Sequence, residues 1–152
     1  MLAGYTMISD PEKSARAIGK ELNISPKKAV EICNSLRGMN LQDAKEFLED
    51  VIEMKRPVPY KRYKRGTSNK KGIKGPGGYP VKAAAAILKV LESVEANAEH
   101  KELDPDEMRI SVIAAHRGRV NKNYMPRAQG RATPFFHELT NLEVIIETME
   151  ED

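Results

Sequence analysis

The chain has 152 residues, 40% of them hydrophobic and only 5% aromatic, with no Trp and a formal net charge of +3. A chain of this length buries roughly two thirds of the surface it exposes when unfolded, so one domain spanning residues 1–152 around a compact aliphatic core is expected. No apolar run approaches the roughly 20 residues of a membrane span and Met1 to Lys20 lacks an apolar signal core, which excludes a membrane partner and points to the cytoplasm.

In chain order, Ala15 to Ile24 can be a strand or a connector. Ser25 followed by Pro26 opens a helix: the Ser side chain is expected to supply the N-cap oxygen, and Pro fits a first turn whose N–H has no helical partner. Ala29, Ile32, Cys33 and Leu36 mark the buried stripe, and Gly38 can end the helix. Cys33 lies on that stripe as the single cysteine, so it excludes an internal disulfide and is expected in the core. Asn40 with Asp43 resembles a capping box for a second helix with apolar positions Leu41, Ala44, Phe47, Leu48, Val51 and Ile52, stopped by Pro57 and Pro59. From there to Gly78 the chain is Gly, Pro, Lys and Arg with almost no aliphatic side chains, which reads as a basic insert (about 55–79) that is disordered or ordered by its partner. Pro80 starts a third helix with Ala84, Ile87, Leu88, Leu91 and Val94 on one side.

After an acidic turn containing Asp104 and Asp106, two period-two runs read as strands. The first, Arg109 to Val120, alternates Ile110, Val112, Ala114 and His116 against Arg109, Ser111, Ile113 and Ala115. The second sets Leu142, Val144 and Ile146 against Glu143, Ile145 and Glu147. Between them lies a segment too polar for a core and too long for a tight turn, expected to be a protruding β-ribbon at about 114–137. The tail Met149 to Asp152 is acidic. The order of elements predicts an α+β fold: a small antiparallel three-stranded sheet with three helices packed on one face and a long protruding basic β-hairpin.

The small net charge hides a segregation of sign. Lys55 to Leu91 holds eleven basic and no acidic residues, and Arg109 to His137 holds six and none. Together the windows carry +17, leaving −14 on the remainder. Soluble proteins ordinarily mix signs on every face, so two long carboxylate-free windows predict two surfaces facing a polyanion.

No catalytic constellation stands out. His100, His116 and His137 are widely spaced and none has a Cys or carboxylate at metal-ligand spacing. The glycines of GIKGPGG lack the Gly-x-x-x-x-Gly-Lys-Ser/Thr spacing of a phosphate loop. The reading is therefore not an enzyme, with no metal, cofactor or small-molecule substrate. Nucleic acid is the better partner. In the first window Tyr60 and Tyr63 alternate with Lys61, Arg62, Lys64 and Arg65, so the rings either stack on unpaired bases or anchor the loop, while the cations meet phosphates. Lys55, Arg56, Lys70, Lys71, Lys74 and Lys82 extend that surface, and His116, Arg117, Arg119, Lys122, Asn123, Tyr124, Arg127 and Arg131 form the ribbon's. Around Ala128, Gln129 and Gly130, two Arg forks flank residues that take little space, which suits a narrow RNA crevice. With arms of about ten residues at roughly 3.3 Å each, the ribbon reaches about 33 Å.

The ribbon tip MPRAQGRATPFF, the strand NLEVIIE, the helix opening ISPKKAVEICNSLRG and the run YPVKAAAAILKVLESVEANAEHKELD together resemble the universal large-subunit ribosomal protein L-twenty-two family, and the insert and the tip resemble its archaeal type. The resemblance covers nearly the whole chain apart from the segment before Ala15. It implies a structural constituent of the large ribosomal subunit that binds large-subunit ribosomal RNA, contacts neighbouring ribosomal proteins and is not a homo-oligomer. It further implies that Ser25, Lys27 and Lys28 face RNA, and that Met125, Pro126, Arg127, Ala128, Gln129, Gly130, Arg131 and Ala132 line the exit tunnel beside the nascent polypeptide. A free-standing RNA- or DNA-binding regulator is the alternative.

Overall fold

The computed structural model describes residues 4–148; the predicted acidic tail from Met149 lies outside them. The elements run β1 (Ser14–Leu22), α1 (Pro26–Leu36), α2 (Leu41–Ile52), β2 (Val58–Pro59), β3 (Gly77–Gly78), α3 (Val81–His100), β4 (Met108–Pro126) and β5 (Ala132–Thr148). The main sheet has the order β1-β5-β4 with antiparallel pairing throughout, so the chain's last described strand is its centre. The expected α+β architecture is therefore present, and the segment from Ala15 that was open between strand and connector is an edge strand.

Amphipathic patterning explains the helical layer. The apolar side chains of α1, α2 and α3 turn into one core with Ala15, Ile110, Ile113, Leu142, Val144 and Ile146 of the sheet. On α3, Ile87, Leu91 and Val94 are fully buried. Each such side chain stabilises the fold by about 1.5–3 kcal/mol relative to an exposed position. Ala83 and Ala84 on the same helix are also buried, and their small size lets α3 approach its neighbours closely.

Both predicted capping oxygens are absent. Ser25 and Asn40 occupy N-cap positions with extended backbones, but neither side chain bonds to its helix. At α1, Pro26 removes one N–H that needed a partner. Around Asn40 the backbone is committed to the sheet: Asn40 bridges to Arg109, Gly38 N–H donates to the Ile110 carbonyl and Ile110 N–H to that of Met39, at 3.0 and 2.8 Å. Two backbone hydrogen bonds to β4 thus fix the α1–α2 turn.

The alternation predicted for β4 is broken by a register shift between Ile110 and Val112. One extra residue reverses the facing of the strand as far as the next shift, between Arg117 and Val120, so Ile113 rather than Val112 joins Met108 and Ile110 in the core. In β5, Leu142, Val144 and Ile146 are buried as expected, but Glu143 and Ile145 on the other face are buried as well. The segment before β1 crosses that face: Thr6 donates to Glu143 through its backbone N–H, at 3.0 Å, and through its hydroxyl. His116 Nε2 lies 3.2 Å from the same carboxylate. Burial alone would push the Glu143 carboxyl up, but the Thr6 and His116 interactions outweigh it and hold the group below its ordinary value.

A carboxyl that ionises more readily when folded contributes stability above its unfolded pKa of about 4.3 and loses it as pH falls through the lower folded value. Urea midpoints should therefore drop between neutral pH and about pH 3 by more in the native chain than in Glu143→Gln. Equal drops would assign the acid sensitivity to other carboxylates.

Candidate nucleic-acid interface

The insert that opens the first carboxylate-free window, residues 55–79, is structured. Val58 is fully buried and pairs with Gly78, and Pro59 pairs with Gly77. A side chain at Gly77 has no space: its Cβ would lie 2.3 Å from Ile73 and 2.6 Å from the Val58 carbonyl oxygen. The glycines of GIKGPGG thus allow two backbones to meet, in place of the rejected phosphate cradle.

The main anchor is Glu31, a carboxylate on α1 that is 1% exposed. It accepts backbone N–H bonds from Lys61 at 2.9 Å, Arg62 at 2.8 Å and Tyr63 at 2.5 Å. Because the acid is consumed by backbone donors, the side chains of Lys61 and Arg62 remain exposed. Of the two tyrosines, Tyr60 packs against the core, where burial foremost and then the charge of Glu31 raise its phenol pKa. Tyr63 lies between cations, 5.8 Å from Lys27 Nζ and 5.3 Å from the Arg62 guanidinium. Anchoring thus accounts for Tyr60 outright.

Other predicted residues of this window divide by position. Lys64, Arg65, Lys71 and Lys74 are exposed around the outer turns, with Lys70 half-buried. Lys55 and Arg56 sit at the end of α2 with partners of their own: Lys55 pairs with Glu53, and the Arg56 guanidinium lies 4.8 Å from the centre of the Phe47 ring.

The second window is the hairpin. Its ladder continues from His116 opposite Asn141 to Pro126 opposite Ala132, with a shift between Arg117 and Val120. Gly118 lies in that bulge, where an added Cβ would come within 3.1 Å of Asn141 Oδ1 and 3.2 Å of the Leu139 carbonyl. Beyond the bulge, every residue from 119 to 137 is exposed. At the tip Ala128–Gly130 form a 3-10 turn in which Gln129 and Gly130 both take positive φ, and Arg127 N–H closes the loop onto the Arg131 carbonyl at 2.7 Å. Among the described residues Arg119, Lys122, Arg127 and Arg131 have no ion pair, whereas Arg117 lies 3.5 Å from Glu138.

The two windows meet at the hairpin root. A groove of about 750 Å³ is lined by Ser25, Lys27 and Lys28 at the start of α1, Tyr79 and Lys82 at the start of α3, and Phe136, His137 and Glu138 of β5. The starts of α1 and α3, distant in sequence, thus bring three lysines to one cleft, and β5 adds Glu138 as an acidic member. Phe135 and Phe136 were absent from the residues predicted for contact, whereas His137 was expected to add to phosphate contacts beside its basic segment. A signal was available: two adjacent rings in a strand must point to opposite faces, so both cannot serve one core.

Cys33 is buried as expected, and burial pushes its thiol up to about 12, which leaves it unreactive. Among the described residues no three His, Cys, Asp or Glu side chains gather into a metal-holding group, and no helix is long and apolar enough to cross a membrane.

Comparison with known proteins now decides the family. The family model described as Ribosomal protein L22p/L17e matches residues 17–147. The chain belongs to this family. Relatives named Large ribosomal subunit protein uL22 include that of Methanocaldococcus jannaschii, 50% identical over 145 residues covering 94% of this chain and 93% of the relative. That of Ignicoccus hospitalis is 51% identical, covering 93% of this chain and 92% of its own, and that of Picrophilus torridus is 52% identical, covering 95% and 96%. The resemblance read from the motifs, including its archaeal character, is thereby shown, and the family is one of ribosomal proteins rather than enzymes.

The structural role assigned to Glu31 is directly measurable. In Glu31→Ala the amides of Lys61, Arg62 and Tyr63 should exchange with solvent about tenfold or more faster, the equivalent of a lost bond to a charged acceptor worth about 1.5–3 kcal/mol, while the core of α3 keeps its protection. Unchanged exchange at these three amides would mean that the β2–β3 ladder alone orders the insert.

Proposed function

We propose that the chain is a structural constituent of the large ribosomal subunit, resident on cytoplasmic ribosomes, that binds large-subunit ribosomal RNA through two basic surfaces, helps RNA domains converge, and lines the nascent-peptide exit tunnel with its hairpin tip. The observation that carries this reading is the hairpin itself, a long ladder whose side chains from 119 to 137 are exposed and include no carboxylate. Phosphate repulsion rises wherever RNA strands are brought together, and exposed guanidinium and ammonium groups relieve it through charge-assisted bonds. The narrow tip, Met125 to Ala132, is the segment able to reach past the RNA to the tunnel wall and the nascent chain. Neighbouring ribosomal proteins are partners for the acidic parts of the body, and the chain acts as one domain and one copy. Family membership removes the ground for a free-standing regulator.

Two measurements test this. The protein should co-sediment with large subunits at moderate salt; its confinement to light fractions would sink the assignment. Deleting residues 124–132 should leave the body folded and change the tunnel-wall density seen by electron microscopy, and an unaltered tunnel would remove the tip from that role. For RNA contact in particular, replacing both Arg127 and Arg131 by Gln should lower the slope of log affinity against log salt by about 1.4–1.8, which is roughly 0.7–0.9 per lost phosphate contact.

A further inference from the structure

Aromatic rings are scarce in this chain, yet three of them stand in solvent on the hairpin stem: Tyr124 is 63% exposed, Phe135 48% and Phe136 46%. The register divides them between two faces. Tyr124 opposite Pro134 and Lys122 opposite Phe136 share the face that continues the helix side of the sheet. Asn123 opposite Phe135 and Asn121 opposite His137 share the reverse face. On each face the rings meet as an edge-to-face pair, Tyr124 with Phe136 at 6.1 Å between centroids and Phe135 with His137 at 4.8 Å.

Support of the ribbon alone does not account for this arrangement. Each Phe is directly opposed by a polar side chain, Asn123 or Lys122, and although Phe136 and His137 also border the groove at the hairpin root, Phe135, Phe136 and His137 all remain exposed. An edge-to-face pair leaves the face of at least one ring open, and an open ring face is a platform for another flat π system. Charge selects which one. Lys122, Arg119 and Arg131 place cations along the stem, and Asn121 and Asn123 offer amide donors and acceptors beside the rings. That combination fits an unpaired nucleobase on its phosphate backbone better than an apolar protein segment.

We infer that the stem is a two-sided base-stacking wedge: Tyr124 and Phe136 hold an unpaired RNA base on one face, and Phe135 and His137 hold another on the opposite face, so two single-stranded RNA segments are separated by one ribbon. The inference rests on the proposed binding of ribosomal RNA and goes beyond it in naming the ligand as unpaired bases on both faces. A duplex lying on the stem would contact the cations without using the rings.

The lack of Trp allows each face to be read separately. Full-length Phe135→Trp and Phe136→Trp chains, with folding checked by circular dichroism, carry one indole each. Titrated with purified, protein-free large-subunit RNA, both indoles should be quenched severalfold and shielded from acrylamide, while a plain RNA duplex should do neither. RNA bound in a sedimentation assay with one indole or neither quenched would overturn the two-sided wedge and leave RNA binding standing. No binding at all would overturn both readings. Shielding that appears only in assembled subunits and not with bare RNA would assign the face to a protein and also overturn the wedge. A second set is independent of the probes: Tyr124→Leu and Phe135→Leu keep bulk but lose the flat face, and each should weaken affinity for the RNA about tenfold, within the range measured for base stacking, with an unchanged salt slope. Wild-type affinity in both would count against the wedge.

Discussion

The structure depends on the continuity of β5. Its C-terminal half is the central strand of the sheet, with Leu142, Val144 and Ile146 buried, and its N-terminal half is one rail of an arm with no core beneath it. A two-stranded ribbon is at best marginally stable by itself in water. Here the ribbon inherits register from a strand already fixed on both sides by β1 and β4, so the arm need not find its own pairing. The ladder satisfies the N–H and C=O groups that point between its strands, allowing the chain to leave the core without stranding buried polar groups. The bulge at Gly118 falls where the arm departs, and the local bend and added twist of a bulge set its direction.

A similar economy governs the insert. A loop with so many cations cannot collapse on itself, and pairing those cations with surface carboxylates would neutralise the surface it presents. Glu31 resolves the conflict by bonding three consecutive backbone N–H groups, which holds the loop without drawing on its side chains. The same helix carries Lys27 and Lys28 on its exposed first turn. One rigid element therefore orients the insert and contributes to the groove at the hairpin root, tying together two basic surfaces whose sequences are far apart.

The local periodicities made the three helices and the sheet strands legible, because an apolar stripe and a period-two run are properties of short windows. The charge partition likewise made both basic surfaces legible before any fold was known. What escaped depended on partners distant in the chain. No local pattern tells of the extra residue between Ile110 and Val112, because both are good strand residues and only the pairing with β5 reveals the slip. Burial of Glu143 required Thr6, 137 positions away, and order in the insert required Glu31, some 30 positions away. The caps failed for a related reason: Asn40 has the right chemistry, but its backbone is drawn into the sheet by Arg109. Ser25, Lys27, Lys28 and Lys82 were readable as cationic or helix-start residues, while their convergence with Phe136 and His137 is a product of topology alone.

A chain with +17 in two windows and −14 elsewhere faces a problem its net charge conceals, since its own acidic surface competes for its basic arm. A flexible tail of the same composition would fold back and pair with that surface, and every such pair would have to be broken before RNA could bind. The ladder prevents this by stiffness. An arm reaching about 33 Å holds its tip several Debye lengths from the body, since that length is about 8–10 Å near physiological salt. At such distances attraction to the body is screened, whereas contact with a phosphate at the tip is not. The arm residues found beside carboxylates are the two at its root: His116 next to Glu143 of the body, and Arg117 next to Glu138, which belongs to the arm itself. The rigid paired backbone is thus what keeps the distal cations available, so the hydrogen bonds of the ribbon serve binding as directly as the charges do.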